Sequence, residues 1–237
     1  MKKTVVITGG AKGIGAALCR GFANAGWNVV IGYCTSEEKA RMLAGETGAL
    51  CMAVDVRHAD RCEKLIQFAL ERFGGIDLLI NNAGIAGQKL FTDISEEEWD
   101  NMFAVNVKGA YNCAKAVMPH FIHKKQGNII NISSIWGMVG ASCEVHYSAS
   151  KAALIGFTKA LAKEVAPSGI RVNCIAPGIV QTDMMSCFTE EEIDVLKEET
   201  PLMKLGRGED IARAALYLAE DEFMTGQVIS PNGGFVI

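Results

Sequence analysis

This chain of 237 residues has no apolar run approaching the ~20 residues that a membrane-spanning helix needs. Its N-terminus, MKKTVVITGG, has two lysines and an apolar stretch too short for a secretory signal, which stops at glycines. No basic block is long enough to grip nucleic acid or an acidic membrane surface, and the net charge is −4 with 21% charged residues. The eight cysteines form no CxxC pair and no metal-ligand spacing. Free buried thiols are therefore expected in place of disulfides, and no metal is expected. His120 and His123 lack a third ligand and read as a solvated helix end. Repeats, linkers and low-complexity tracts are also missing. What these absences leave is a soluble, cytoplasmic chain, with 49% hydrophobic residues to fill a substantial core.

What is present is an alternation of strands and helices. Short, branched apolar runs read as buried parallel strands: Thr4–Thr8, Asn28–Tyr33, Ala49–Val54, Ile76–Ile80, Asn128–Ile132, Ile170–Ile175 and a last short one, Gln227–Ser230. Between them lie segments with apolar residues at three- and four-residue steps: to Ala25, from about Ser36, Ala59–Phe73, Ser95–Lys124, about Ser148–Val165 and Gly208–Glu220. Ser95 with Glu98 three residues on is a capping box that opens the fourth of these. Strands alternating with helices predict one doubly wound α/β domain over residues 1–237.

The first strand runs straight into Gly9-Gly10-Ala11-Lys12-Gly13-Ile14-Gly15 and a helix. Strand, glycine turn and helix is the arrangement in which backbone N–H groups and a helix N-terminus bind pyrophosphate. Gly9 suits the tight turn, Gly13 an approach to phosphate, and Gly15 close packing of helix on strand. After the second strand, a carboxylate would hold the ribose hydroxyls of NAD. The segment from Gly32 to Ser36 has none, while Thr35, Ser36 and Lys12 offer hydroxyls and a cation. That set suits a 2′-phosphate, and hence NADP(H). Asn81-Asn82-Ala83-Gly84 closes the fourth strand with small residues that leave room in the crevice. Asn106 stands inside a helical pattern where Asn is a poor former, and such a broken rule marks a candidate functional position.

The fifth strand ends at Ser133-Ser134, and after a glycine-bearing loop come Tyr147 and Lys151. At i and i+4 on a helix, phenol and ammonium share one face. The expectation is that the lysine lowers the tyrosine pKa from about 10 toward neutrality and makes it a usable proton donor. From Ile179 to Pro201 the chain is irregular, with Met184, Met185 and Phe188 as soft apolar side chains. A lid at about 179–205 over an apolar substrate and a subunit contact are both open readings of this segment.

Taken in order, these pieces resemble the short-chain dehydrogenase/reductase family over essentially the whole chain. The matching motifs are Thr8–Gly15, Asp55, Asn81–Gly84, Asn106, the Ser134/Tyr147/Lys151 trio and Pro177–Gly178. The resemblance implies a seven-stranded parallel sheet of order 3-2-1-4-5-6-7, a homotetramer, and hydride transfer between a nicotinamide and a carbonyl or alcohol. It implies Tyr147 as general acid in reduction and Ser134 as hydrogen-bond donor to the substrate carbonyl. It implies Lys151 on the nicotinamide ribose, and Asn106 holding a water that passes protons to Lys151. Carried over by position, Asp55, Val56, Asn82, Ala83, Gly84, Pro177, Gly178, Ile179 and Thr182 join the glycine loop in binding cofactor.

Within the family the chain is most similar to 3-oxoacyl-[acyl-carrier-protein] reductases, through Ser150–Gly178 and Thr225–Gly234. One departure concerns the pair of basic residues that grip the carrier protein: Lys125 supplies one by position, and the other falls at Ser168. Another is Cys143-Glu144-Val145-His146, which together with Ser133–Gly137 resembles reductases of a 5-aminopentanone group on elongation factor P. Glu144 then reads either as the partner of a substrate ammonium or as a solvated loop acid. An alcohol or sugar dehydrogenase, and an NADP-sensing scaffold without catalysis, are the remaining alternatives.

Overall fold

The computed structural model describes residues 2–182 and 189–237. Seven strands form one parallel sheet of order β3-β2-β1-β4-β5-β6-β7. They are β1 (Thr4–Thr8), β2 (Asn28–Tyr33), β3 (Leu50–Ala53), β4 (Leu78–Asn81), β5 (Gly127–Ile132), β6 (Ile170–Ile175) and β7 (Val228–Ile229). The central register sets Val5 beside Val29 and Leu78, and Ile7 beside Ile31 and Ile80.

Because successive strand side chains point to opposite faces, Val5 and Ile7 of β1 go one way and Val6 the other. On the first face Val5 and Ile7 meet Leu18 and Phe22 of α1 (Gly13–Asn24) and Ile211 and Leu218 of α9 (Gly208–Glu220). On the second, Val6 and Leu79 meet Leu65 of α3 (Ala59–Phe73) and Val117 and Phe121 of α5 (Gly109–Lys124). All of these are fully buried, and each such side chain contributes about 1.5–3 kcal/mol. Helix α2 (Glu37–Thr47) buries only Ala40 and Leu43 and covers the β2–β3 edge.

The helix expected over Ser95–Lys124 is one continuous rod in neither geometry nor bonding. It consists of α4 (Glu96–Phe103), a π-helical turn (Ala104–Lys108) and α5. The capping box at its start is present, with Ser95 and Glu98 each bonding the other's backbone N–H. Asn106 sits in the widened turn, where its amide replaces regular packing with side-chain bonds. Further on come the single-turn α6 (Trp136–Val139), α7 (Val145–Val165), which starts three residues before Ser148, and α8 (Glu190–Glu198).

Two smaller expectations fail for local reasons. His120 is not solvated: its Nε2 lies 3.1 Å from both the N and the O of Ile76, where the chain enters β4. The free thiols are not all buried, since Cys34 is exposed at the end of β2 and Cys51 and Cys143 are half-buried. No helix among the described residues is long and apolar enough to cross a membrane.

Candidate active site

The strand order turns back between β1 and β4, so their connections leave in opposite directions and open a crevice at the carboxyl ends. Four segments converge there: the glycine loop after β1, Asn82–Gly84 after β4, Ser133-Ser134 after β5, and Pro177-Gly178 after β6.

The glycine loop is shaped by close approaches. Gly9 has φ +62°, and a Cβ there would lie 2.8 Å from Ala83 Cα. A Cβ on Gly15 would collide with the Gly9 carbonyl and stand 2.7 Å from Asn82 Nδ2. By contrast, a Cβ on Gly13 (φ +53°) would meet nothing nearer than Thr182, at 3.5 Å. Lys12, extended and exposed, begins α1 without capping it by its side chain. The first N–H groups of the helix therefore face an opening beside Gly13 and Thr182, which fits a pyrophosphate.

Asn82 does more than leave room. Its Nδ2 donates to the carbonyls of Thr8 and Gly9, each at 3.0 Å. Thr8 Oγ1 in turn accepts the N–H groups of Asn82 and Ala83 at 3.1 Å. These bonds fix the phosphate loop to the β4 end. Asp55, the acid after β3, is held by Arg57, whose guanidinium donates to both carboxylate oxygens and keeps the carboxyl below its usual range. Arg57 also donates to Asn101 on α4 at 2.9 Å. Sequence reading missed this arginine, and its only signal was its place two residues after Asp55. Beyond β2, Thr35 is exposed and Ser36 makes no cap bond, so both hydroxyls are uncommitted by the helix that follows.

Ser134 Oγ accepts the Trp136 N–H at 3.2 Å and acts on the Tyr147 hydroxyl to lower its pKa. Lys151, only 4% exposed, donates from Nζ to the Ile132 carbonyl at 2.9 Å. Ser133 Oγ donates to the Lys151 carbonyl at 2.7 Å, and Gly137 abuts the same backbone because a Cβ would stand 2.7 Å from Lys151 C. The turn after β5 and α7 are thus locked together, with Ser134, Tyr147 and Lys151 side by side.

The electrostatics differ from the expected lowering of the tyrosine pKa by its lysine. Tyr147 is pushed up to about 12, chiefly by burial; Ser134 acts downward and the Glu144 charge upward. The residue as a whole is half-buried. Lys151 is pushed down to about 8, again by burial. Its ammonium lies 5.6 Å from the Tyr147 ring centroid and is committed to the Ile132 carbonyl. Desolvation of both groups therefore outweighs the Coulomb attraction that sequence spacing implied.

Asn106 is 1% exposed. Its Oδ1 accepts the Ile85 N–H at 2.8 Å, and its Nδ2 faces Ile85 O, Ser150 Oγ and Met102 Sδ at 3.0, 2.9 and 3.1 Å. The side chain is fully used as a bridge between the loop after β4, α4 and α7. Gly84 lies against it, since a Cβ there would be 3.2 Å from Asn106 Oδ1 and 3.3 Å from Lys151 Nζ.

At the mouth, the Lys89 N–H bonds the Cys143 carbonyl at 2.7 Å and joins the loop after β4 to the segment before α7. Leu90, Phe91, Met138 and Val139 are exposed on these segments. Glu144 is half-buried, and its carboxylate has no partner among the described residues. Burial raises its pKa. His146 is buried against Gly87, and its Nδ1 has no partner among the described residues. Met184, Met185 and Phe188 lie outside the described residues.

A doubly wound sheet with a glycine loop at its switch point and a Ser–Tyr–Lys group beside it is the architecture of dinucleotide-dependent oxidoreductases. The chain belongs to the short-chain dehydrogenase/reductase family: the family model described as short chain dehydrogenase matches residues 3–193. It is 36% identical to the 3-oxoacyl-[acyl-carrier-protein] reductase FabG of Staphylococcus epidermidis, over 99% of both chains. Against the Chlamydia trachomatis protein of the same name, identity is 41% over 99% of this chain and 97% of that one. Among solved structures it is similar to "ElxO with NADP Bound", with a TM-score of 0.92, 33% identity and 99% coverage of each chain. It is an NAD(P)-dependent oxidoreductase acting on CH–OH or C=O groups.

Proposed function

We propose that this chain uses NADPH to reduce a 3-oxoacyl thioester, carried on acyl carrier protein, to the 3-hydroxyacyl product. The reading rests on Tyr147: a phenol kept protonated by burial, grouped with Ser134 and Lys151, is a proton donor waiting for an oxyanion. The bound nicotinamide supplies the hydride. Ser134 and Tyr147 then stabilise the negative charge that develops on the carbonyl oxygen, and Tyr147 delivers its proton there. Lys151 orients the ribose and keeps a positive charge beside the phenol ring. The missing acid after β2, the exposed Lys12, and the NADP named with the similar structure support NADPH as the reductant. The names of the curated relatives support the carrier-linked substrate, and the exposed apolar residues at the mouth suit an acyl chain. A homotetramer working in the cytoplasm completes the reading.

The test is NADPH consumption with acetoacetyl thioesters on carrier protein and on coenzyme A. Turnover that requires Tyr147 and favours the carrier-linked form is expected; no oxidation with any ketone would overturn it.

Glu144 favours a second reading, a ketone bearing an ammonium, such as 5-aminopentanone on elongation factor P. A half-buried carboxylate without a partner among the described residues is costly to leave unpaired, and a substrate cation would offset that cost where water is partly excluded. Glu144→Ala should then cut turnover of an aminoketone far more than that of a plain 3-oxoacyl thioester. Equal loss on both would remove this reading.

A further inference from the structure

Ser150 stands between Tyr147 and Lys151 in sequence and is completely buried. A serine hydroxyl has one hydrogen, and here it goes to the Tyr147 carbonyl at 2.7 Å. The lone pairs of Oγ are thereby turned toward Asn106, whose Nδ2 donates to them at 2.9 Å. That bond and a second from the same nitrogen to Ile85 O, at 3.0 Å, together set which way the Asn106 amide faces. With nitrogen toward α7, Oδ1 is left to accept the Ile85 N–H at 2.8 Å, next to Gly84. A single directed chain runs from Ile85 N–H through Asn106 and Ser150 to the Tyr147 carbonyl. It spans the loop after β4, the π-turn and the first turns of α7.

We propose that Ser150 is a positioning residue for carbonyl reduction: it couples the Tyr147 turn to the Asn106 amide, and through it to the loop after β4 at the crevice. The proposal rests on the reading of Tyr147 as the acid. Ser150 itself touches no reacting atom. Met102 reaches the same Asn106 nitrogen through sulfur, a weaker acceptor, and Ile85 O accepts from it too but ties it to the loop after β4; neither links Asn106 to α7 as Ser150 does. A hydroxyl kept only for packing would act independently of Asn106; one kept for position acts through it.

The experiment is a double-mutant cycle of Ser150→Ala and Asn106→Ala, read as kcat and as KM for ketone and for cofactor. Residues in one hydrogen-bond network couple by about 0.5–3 kcal/mol. Ser150→Ala alone is therefore expected to lower kcat about tenfold with both KM values within about twofold. In the Asn106→Ala background it should lower kcat by less than about twofold. Ser150→Cys, which keeps a weak donor and acceptor of similar size, should recover part of the loss. Additive losses in the cycle, or a fall confined to KM or to thermal stability, would overturn the proposal. If Ser150→Ala fails to fold, the cycle is run with Ser150→Cys against the same criterion. Because wild-type turnover with Tyr147→Phe as control is measured alongside, loss of the Tyr147 reading would show there first.

Discussion

Lys151 gives a stability test whose size follows from its surroundings. Burial lowers its pKa from 10.5 to about 8, a difference of about 2.5 pH units. At 1.36 kcal/mol per unit, the folded protein bears about 3 kcal/mol for keeping this ammonium charged. Below about pH 8 both folded and unfolded chains hold the proton, and the whole cost is present. Between about 8 and 10.5 the unfolded chain keeps the proton that the folded one has released, so the unfolding free energy rises with pH. Tyr147 acts in the opposite sense, but only above about 10, where the unfolded phenol ionises while the folded one, near 12, does not. Urea unfolding of the wild type and of Lys151→Met, at one protein concentration from about pH 7 to 10, isolates the lysine, because every other titration is common to both. The wild type should gain about 2–3 kcal/mol on the variant across that range. The lost bond to Ile132 shifts the difference by a constant and does not tilt it. A difference that stays flat with pH would show that Lys151 is solvated or paired, and the burial argument would fall.

Other outcomes follow from single contacts. Tyr147→Phe should lower kcat by about 10²–10⁴, the usual contribution of a positioned acid, with cofactor affinity kept; stopped-flow NADPH oxidation and a fluorescence titration separate the two. Gly15→Ala drives a methyl into the Gly9 carbonyl and Asn82, so thermal unfolding should show a loss of about 1–3 kcal/mol together with weakened cofactor binding. Lys12→Ala should reduce the NADPH-to-NADH ratio of kcat/KM about tenfold, at the low end for a hydrogen bond to a charged group; an unchanged ratio would remove Lys12 from phosphate recognition.

Much of the fold was legible because the strands are short, branched and buried on both faces. Asn28–Tyr33 and Ile170–Ile175, like the helix Gly208–Glu220, have the boundaries their patterns predict. The order of the strands came from resemblance, since periodicity says nothing about neighbours, and the sheet bears it out. Periodicity also failed at Asn106: a π-turn shifts the register by one residue, and a three- and four-residue pattern continues across it without a visible break. The poor helix former was the only local sign. Arg57 and Ser150 were missed for a related reason, because each acts on partners far away in the chain: Arg57 on Asn101, and Ser150 on Asn106.

The Tyr147–Lys151 spacing was read correctly as proximity and wrongly as charge coupling. An i, i+4 pair on an exposed helix has little else to interact with, so Coulomb attraction decides its protonation. Here Lys151 is buried and Tyr147 half-buried, and each partner meets a stronger demand. The lysine satisfies the Ile132 carbonyl, and the phenol loses solvent to burial while feeling the Glu144 charge. Desolvation then pushes both groups toward their neutral forms, the phenol up and the amine down. A phenol held neutral is a poor base for taking a proton from an alcohol, yet it is fully loaded to give one to a carbonyl that has accepted hydride. The same burial that raises its pKa in the resting protein strengthens its bond to an oxyanion formed beside it, because the low dielectric magnifies charge wherever charge appears. The site is thus biased toward reduction by where the tyrosine is buried, and Glu144 adds to that bias from the mouth.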